Sequence, residues 1–337
     1  MTAAARPYLL AGDIGATKTA LALFPMDREQ DEPLSEETVE NANFASFEDI
    51  VESFLNRNDV QPDYACFGAA GPVRDNRVKM TNLNWTLDAN VLQQHLGIRS
   101  VTLINDLVST AMGAVNLPAG SILTLNAGIS DHLGGIGVIA PGTGLGEAFL
   151  IRNQGNWLPI PSEGGHSSFA PTNEQQRRLL HYMAKRYSHV STEMVCSGQW
   201  LPHLYDFLCE EQGSENLFVD YPDPTRIIVD AALAAYERKE ESIAVHALQL
   251  FTAILASECA NLALKFLATG GVYIGGGLPP RILPFLKAGD FMQFFARGDY
   301  RDMLLAIPVH VILEPKTSLL GAAAYGRAHR NPAGNAP

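Results

Sequence analysis

Residues 101–108 read Val101-Thr102-Leu103-Ile104-Asn105-Asp106-Leu107-Val108, an aliphatic run interrupted by two adjacent polar side chains. The β-branched and aliphatic residues before Asn105 predict a buried strand, and the residues after Asp106 predict the first turns of a helix. Asp106 is therefore expected where a strand leads into a helix N-terminus, a place where open α/β sheets bind ligands. An aspartate there can cap the helix, act as a base, or do both, and the segment alone leaves these alternatives open.

A glycine-bearing turn near the N-terminus is a second candidate ligand contact. Residues 8–11 and 20–24 read as two strands, and the turn between them falls within Gly12–Thr19. Small residues in this turn let the backbone approach a ligand closely, beside a carboxylate and a hydroxyl group. An ordinary tight hairpin is the alternative reading. The turn matches neither a Walker P-loop nor a complete dinucleotide-binding fingerprint.

The same arrangement recurs in the second half of the chain. Residues 134–140 and 148–152 read as strands, separated by Pro141-Gly142-Thr143-Gly144-Leu145-Gly146. Each hairpin belongs to a run of alternating strands and helices, which predicts an α/β fold with mixed sheets. The repeated organisation further predicts a duplicated unit with one phosphate loop in each copy.

The composition narrows the function classes. The net charge of −12 argues against a nucleic-acid surface, which needs a basic face, but leaves ATP binding open. The four cysteines form no C-x-x-C pair, and no signal peptide opens the chain, so we expect a reducing, cytoplasmic location. The most apolar stretch, Ile243–Ala268, carries His246, Glu258 and Lys265 and therefore reads as a buried core helix and not as a membrane span.

Two further segments carry predictions that the structure can test. Residues 161–166 read as a loop in which Glu163 and His166 are separated by two glycines, so both side chains can turn to one site. A pair that only stabilises the loop is the alternative. Thr38–Asn43 reads as a third strand of the N-terminal sheet.

Six motifs together resemble the bacterial-type glucokinases, a family of the clan that unites sugar kinases, Hsp70 and actin. They follow the family's order from near residue 8 to near residue 325, so the resemblance covers nearly the whole chain. In sequence they are Gly12-Asp13-Ile14-Gly15-Ala16-Thr17, Ile104-Asn105-Asp106, Pro141-Gly142-Thr143-Gly144-Leu145-Gly146, Ser162-Glu163-Gly164-Gly165-His166, Ser191-Thr192-Glu193 and Gly275-Gly276-Gly277.

The resemblance implies a two-lobed, duplicated RNase H-like fold of the actin-like ATPase and hexokinase type, with a cleft between the lobes. We expect a small domain of residues 1–112 plus 316–337 and a large domain of residues 113–315. The implied reaction is ATP-dependent phosphorylation of D-glucose at its 6-hydroxyl, with Asp106 as the catalytic base. The implied sugar-binding residues are Asn105, Asp106, Glu163, His166 and Glu193.

The resemblance also implies where the nucleotide binds. The two phosphate loops correspond to Gly12, Asp13, Ile14, Gly15, Ala16 and Thr17 and to Gly142, Thr143 and Gly144, and Gly276 and Gly277 lie in the segment near adenosine. Phosphoryl transfer calls for charge neutralisation by Mg²⁺, and Asp13 is the candidate anchor for that ion through water. A carboxylate that only caps its own turn is the alternative for Asp13.

Three positions depart from the family's usual pattern. Ala16 and Lys18 stand where the family usually has Gly and Asn, so nucleotide affinity or phosphate-donor preference is expected to shift while turnover survives. Ser162 stands where a glycine is commoner. The cysteine-rich zinc cluster of the related repressor–kinase family is absent from the sequence, which disfavours that subfamily and a transcription-factor role.

Two alternative functions stay open in the sequence. One is a kinase for another hexose or for an N-acetylhexosamine, and the other is a non-catalytic sugar sensor on the same fold. For Glu193 the alternative to sugar binding is a solvated glutamate in the first turn of a short helix. We expect D-glucose and ATP as ligands, no nucleic-acid or membrane partner, and, from the resemblance, a homodimer.

Overall fold

The computed structural model describes residues 7–26, 32–80, 83–288 and 290–329. These residues divide into two units: unit 1 runs to Pro118 and resumes at Lys316, and unit 2 spans Ala119–Pro315. The first boundary lies six residues beyond the predicted one. The boundary moves because the helix that contains Gly113 packs within unit 1. Gly113 lies so close to Thr317 of unit 1 that a methyl group at Gly113 would overlap the Thr317 carbonyl oxygen.

Unit 1 is built on a mixed sheet with the order β3-β2-β1-β4-β7. Strand β1 is antiparallel to β2 and parallel to β4, and β4 is parallel to β7. Strands β5 and β6 form a separate antiparallel pair. The strands are β1 (Tyr8–Ile14), β2 (Lys18–Pro25), β3 (Ser35–Glu40), β4 (Tyr64–Ala69), β5 (Arg77–Lys79), β6 (Thr86–Asp88) and β7 (Ser100–Asn105).

Helices cover both faces of this sheet. On one face, a core cluster that includes Phe47, Phe54 and Phe67 packs beneath the first two helices. On the other face, a cluster around Phe24, Ile104 and Leu319 packs beneath the last two. The helices of unit 1 are α1 (Phe47–Asn58), α2 (Ala89–Leu96), α3 (Asp106–Ala114) and α11 (Thr317–Ala328).

Unit 2 is built on a second mixed sheet, with the order β11-β10-β9-β12-β13-β8. Strand β9 is antiparallel to β10 and parallel to β12, and β12 is parallel to β13. The strands are β8 (Ile122–Asn126), β9 (Ile136–Pro141), β10 (Leu145–Asn153), β11 (Asn156–Ser162), β12 (Gly271–Ile274) and β13 (Val309–Ile312).

The helices of unit 2 pack around one long apolar helix, α7. By length and composition α7 could cross a membrane, but 83% of its most apolar window is buried inside the protein, as predicted for a core helix. The helices are α4 (Glu174–Ala184), α5 (Leu201–Gln212), α6 (Pro224–Glu237), α7 (Ile243–Phe266), α8 (Leu283–Lys287), α9 (Asp290–Phe295) and α10 (Arg301–Ala306).

The two sheets share one pattern. In each, an antiparallel pair with a glycine-bearing turn is flanked by a third antiparallel strand on one side and by two parallel strands on the other. The order β3-β2-β1-β4-β7 corresponds strand for strand to β11-β10-β9-β12-β13. The prediction of a duplicated α/β fold with mixed sheets is therefore confirmed.

Several local predictions need correction. The predicted strand Thr38–Asn43 ends at Glu40, and Asn41–Asn43 form a 3₁₀ turn. Residues 161–162, predicted as loop, complete strand β11, which contains Pro159 and Pro161. Proline cannot donate to a strand ladder, but β11 is an edge strand, where that loss is tolerated.

Candidate active site

Asp106 is the first residue of α3, directly after the last residue of β7. The helix is capped by its neighbour Asn105, whose Oδ1 accepts hydrogen bonds from Leu107 N at 2.9 Å and Val108 N at 3.4 Å. Asn105 Nδ2 donates to the carbonyl oxygen of Gly71 at 3.1 Å. The capping role left open for Asp106 is thus filled mainly by Asn105, although Asp106 Oδ1 also accepts from Leu107 N at 3.0 Å.

The first glycine turn is held by Asn41, a residue that the sequence reading did not single out. The Asn41 side chain is buried, accepts from Thr19 Oγ1 at 2.7 Å and donates to the carbonyl oxygen of Gly15 at 3.0 Å. Its backbone N–H donates to the carbonyl oxygen of Thr17 at 2.8 Å. The 3₁₀ turn after β3 therefore fixes the predicted phosphate loop.

Not every residue of the first motif can face a ligand through its side chain. Ile14 is fully buried in the core of unit 1. Gly12 lies within β1, where an added Cβ would lie 2.7 Å from the ring of Phe67. The turn itself is Gly15, Ala16 and Thr17, so any contact of Gly12 or Ile14 with a nucleotide would come from the backbone.

Asp13 is partly buried at the end of β1, in register with Gly68 of β4. Ser318, in the first turn of α11, donates from Oγ to Asp13 Oδ1 at 2.8 Å. Ser109 Oγ of α3 donates to the carbonyl oxygen of Ser318 at 2.6 Å. Burial raises the pKa of the Asp13 carboxyl, and the bond from Ser318 opposes that rise.

The second glycine turn is held within unit 2 by the segment before α5. The carbonyl oxygen of Gly142 accepts from Gly198 N at 2.7 Å, and that of Thr143 accepts from Gln199 N at 3.1 Å. Gly276 has φ = 84° and lies against the end of β9, where an added Cβ would be 2.5 Å from the carbonyl oxygen of Pro141. The predicted phosphate loop and the predicted adenosine segment are therefore neighbours.

The predicted sugar-binding residues of unit 2 are brought together around the start of β10. Glu193 Oε2 accepts from Leu145 N at 2.9 Å, and Glu193 Oε1 lies 4.0 Å from His166 Nδ1. The backbone of Thr192 donates to the carbonyl oxygen of Ser167 at 2.9 Å. Two segments that are 27 positions apart in sequence are thus joined, with the side chains of Glu163 and His166 exposed.

The residue Lys18, which departs from the family pattern, forms an exposed ion pair with Glu40 of β3, with Nζ 3.0 Å from Oε1. Its carbonyl oxygen accepts from Gly15 N at 2.9 Å and closes the turn. The added cation therefore has an anionic partner on the same sheet. The expected shift in nucleotide affinity or donor preference stays a prediction.

The donor set fits Mg²⁺ held mainly by water and phosphate. The described residues (7–26, 32–80, 83–288 and 290–329) contain no cluster of three or more His, Cys, Asp or Glu side chains that could bind a metal ion. Mg²⁺ commonly uses one or two carboxylates together with water and substrate phosphates, without a dedicated protein cage. A desolvated carboxylate such as Asp13, beside a glycine turn, meets that requirement.

Known proteins resemble this chain over most of its length. A family model described as Glucokinase matches residues 10–329. A glucokinase of Nostoc punctiforme is 39% identical, over 94% of this chain and 97% of that protein. A glucokinase of Hahella chejuensis is 35% identical, over 94% of this chain and 96% of that protein.

Solved structures agree with this match. The crystal structure of a glucokinase from an Antarctic psychrotroph superposes with a TM-score of 0.83 at 28% identity, over 95% of this chain and 99% of that one. A glucokinase of Balamuthia mandrillaris, crystallised with glucose, has the same fold, with a TM-score of 0.82 at 22% identity, over 97% of this chain and 95% of that one. The motifs, the duplicated fold and the match over residues 10–329 together show that the chain belongs to the glucokinase family.

Proposed function

We propose that the chain transfers the γ-phosphoryl group of ATP to the 6-hydroxyl of D-glucose, with Asp106 as the general base. Membership of the glucokinase family supports the reaction. The observation that carries the role of Asp106 is its place at the start of α3, beside a neighbour that supplies the principal helix cap.

A sugar hydroxyl is a poor nucleophile at neutral pH, and a positioned carboxylate can accept its proton as the new bond forms. In the proposed step, the 6-hydroxyl oxygen forms a bond to the γ-phosphorus and its proton passes to the Asp106 carboxylate. The bond from that phosphorus to the bridging oxygen breaks, and its electron pair leaves with ADP. The positive end of the α3 dipole favours the charged form of Asp106 that this step requires.

Sugar recognition is assigned to a mixture of donors and acceptors, because each sugar hydroxyl can both donate and accept. Glu163 and Glu193 supply carboxylate acceptors, His166 supplies an imidazole, and Asn105 supplies an amide. The bond from Leu145 N to Glu193 holds one of these carboxylates in a single orientation. A site that bonds hydroxyls in this way discriminates against sugars that lack or misplace them.

Nucleotide binding is assigned to the two glycine turns and Asp13. Backbone N–H groups in such turns can cradle phosphate oxygens even in an acidic protein. When bound, Mg²⁺ supplies charge neutralisation at the transferring phosphate. Asp13 would hold it through water, and Ser318 fixes the orientation of the Asp13 carboxylate.

Replacing Ser318 by alanine is expected to raise the KM for MgATP about 5- to 10-fold. Loss of the hydrogen bond from Ser318 Oγ removes the contact that lowers the pKa of Asp13, and a bond to a charged group is worth about 1.5 kcal/mol or more. Initial rates over a series of MgATP concentrations measure the effect, with Ser46→Ala on the exposed cap of α1 as the control. A changed glucose KM with an unchanged MgATP KM would contradict the assignment of Asp13.

The proposed reaction is tested by coupled ADP release with glucose, mannose, fructose and N-acetylglucosamine as acceptors. Glucose is expected to give the highest kcat/KM. Preference for another sugar would favour the alternative hexose kinase, and sugar binding without ADP release would favour a sensor. The phosphate donor is tested by measuring glucose 6-phosphate formation with ADP or polyphosphate in place of ATP, because Ala16 and Lys18 depart from the family pattern. Formation as fast as with ATP would contradict ATP as the specific donor.

We also propose that the chain acts as a homodimer in the cytoplasm. The family resemblance supports the homodimer. The four cysteines, which are all free and buried, support a location in the reducing cytoplasm. Light scattering of the purified chain measures the dimer, and a mass equal to one chain at micromolar concentration would contradict it.

A further inference from the structure

Glu147 is a buried carboxylate outside the motifs that carry the resemblance. It lies on β10, directly after the second glycine turn, and is 3% exposed. Its Oε1 atom finds no hydrogen-bond partner among the residues that the structure describes. Burying a carboxyl without full compensation costs stability, whereas an apolar side chain at this depth would carry no such cost.

The carboxyl of Glu147 lies directly beneath the segment from Glu163 to His166. Glu147 and Ser162 are opposite each other in the β10–β11 ladder. A methyl group built on Gly164 would overlap Glu147 Oε2 and would lie 2.7 Å from its Cδ. Ser162 Oγ accepts from Gly164 N at 2.9 Å, so one side of the Gly164 backbone rests on these two side chains.

Among the residues that the structure describes, the electrostatic neighbours of Glu147 include a second carboxylate, two thiols and one cation. Glu258 of α7 is 5% exposed, accepts from Asn261 Nδ2 at 2.9 Å and has Lys265 Nζ 3.6 Å from its Oε1. Burial, then the charge of Glu258, raises the pKa of Glu147 to about 7, against a smaller lowering by Lys265. The same carboxylates raise the pKa of the thiols of Cys196 and Cys259, beyond the larger effect of their burial.

The start of β10 therefore supports all three predicted sugar-binding residues of unit 2. Leu145 N holds the carboxylate of Glu193. The carbonyl oxygen of Leu145 lies against Gly165, where an added methyl group would overlap it. The Glu147 carboxyl fills the corresponding place beneath Gly164, so its size limits how closely the backbone between Glu163 and His166 can approach β10.

We propose that Glu147 is a positioning residue for sugar recognition: its buried carboxyl fixes the backbone at Gly164 and thereby directs the side chains of Glu163 and His166. The inference rests on the proposed function for the role of those two residues. Glu147 itself touches no substrate in this proposal and acts through the loop.

Steady-state kinetics of three variants test this role. Glu147→Ala is expected to raise the glucose KM about 10-fold, while kcat and the MgATP KM change less than about 3-fold, because only sugar recognition depends on the loop. Glu147→Gln, which keeps the volume of the side chain, is expected to stay within about 3-fold of the parent. Thr252→Ala is the control, because Thr252 is also buried in unit 2 but its hydroxyl donates to the carbonyl oxygens of Leu248 and Gln249 within its own helix.

A double-mutant cycle tests the contact itself. Gly164→Ala is expected to raise the glucose KM about 10-fold, because its methyl group meets the Glu147 carboxyl. Added to Glu147→Ala, the same substitution is expected to raise the KM by less than about 2-fold, since the obstructing atoms are gone. Residues in direct contact show such non-additivity, and independent ones do not.

The outcomes separate this proposal from the proposed function. An unchanged glucose KM in folded Glu147→Ala, or equal effects of Gly164→Ala with and without Glu147, would overturn the role of Glu147 alone. If Glu147→Ala does not fold, Gly164→Ala alone tests the contact, and an unchanged glucose KM in Gly164→Ala would overturn the role of Glu147. Absence of glucose turnover in the parent chain would instead overturn the proposed function, and this role with it.

Discussion

Asp106→Asn is expected to lower kcat about 10²- to 10⁴-fold while glucose affinity changes far less. Asparagine keeps the shape of the side chain and its place at the start of α3, but its amide cannot accept the proton of the 6-hydroxyl. General-base catalysis by a positioned side chain typically contributes a factor of this size. The fold should persist, because Asn105, and not Asp106, makes the principal cap of the helix.

Two matched variants give this experiment its controls. Asp302→Asn makes the same chemical change at a fully exposed carboxylate in the first turn of α10 and should leave kcat unchanged. Asn105→Ala should lower the free energy of unfolding by about 1 kcal/mol through loss of the cap. Retention of more than about a tenth of kcat in Asp106→Asn, with coupled ADP release as the measurement, would remove Asp106 as the base.

The motifs of the candidate site could be predicted from the sequence because each lies on one continuous segment. Asp106 follows a strand that its aliphatic residues make recognisable, and the hairpins around Gly15 and Gly144 show two strands with a glycine turn between them. The contact of Glu193 with Leu145 could not be read in the same way. It depends on the packing of a 3₁₀ turn against β10, which no local pattern encodes.

The residues that sequence reasoning missed act through pairs that are distant in the chain. Asn41 holds Gly15 across 26 positions, and Ser318 reaches Asp13 across 305. Glu147 is found only once β10 and β11 are paired in register. A carboxylate within the otherwise apolar run of residues 145–151 is a local signal that could have drawn attention to Glu147.

The same argument accounts for the errors in the fold. Strand β11 contains two prolines, and prolines in a sequence argue against a strand. They are tolerated here because β11 lies at the edge of the sheet, which the sequence alone does not show. The short helices α8–α10 have five or six residues each, too few to show a helical period. The long helix α7, which is apolar along almost its whole length, was predicted within two residues at each end.

Glu147→Gln is expected to flatten the pH dependence of stability, and the sign follows from the raised pKa of Glu147, about 7 against its usual 4.5. The folded state binds the proton more tightly than the unfolded state, so stability contributed by the protonated carboxyl is fully present below pH 4.5. It is lost as the pH rises towards 7. The loss between pH 5.5 and pH 8 is about 2 kcal/mol in the free energy of unfolding, and glutamine, which does not titrate, removes it.

Urea unfolding at pH 5.5 and pH 8 measures this difference for the parent and for Glu147→Gln. Between pH 5.5 and pH 8, the free energy of unfolding should fall less for Glu147→Gln than for the parent, whatever the difference between the two proteins at pH 5.5. Glu258→Gln is the matched comparison: it removes the second cause of the raised pKa and leaves burial, so the parent's pH dependence should shrink without disappearing. Parallel pH dependences for the parent and Glu147→Gln would mean that the carboxyl beneath Gly164 is charged in both the folded and the unfolded state, and that its burial is compensated in a way that the contacts of β10 do not provide.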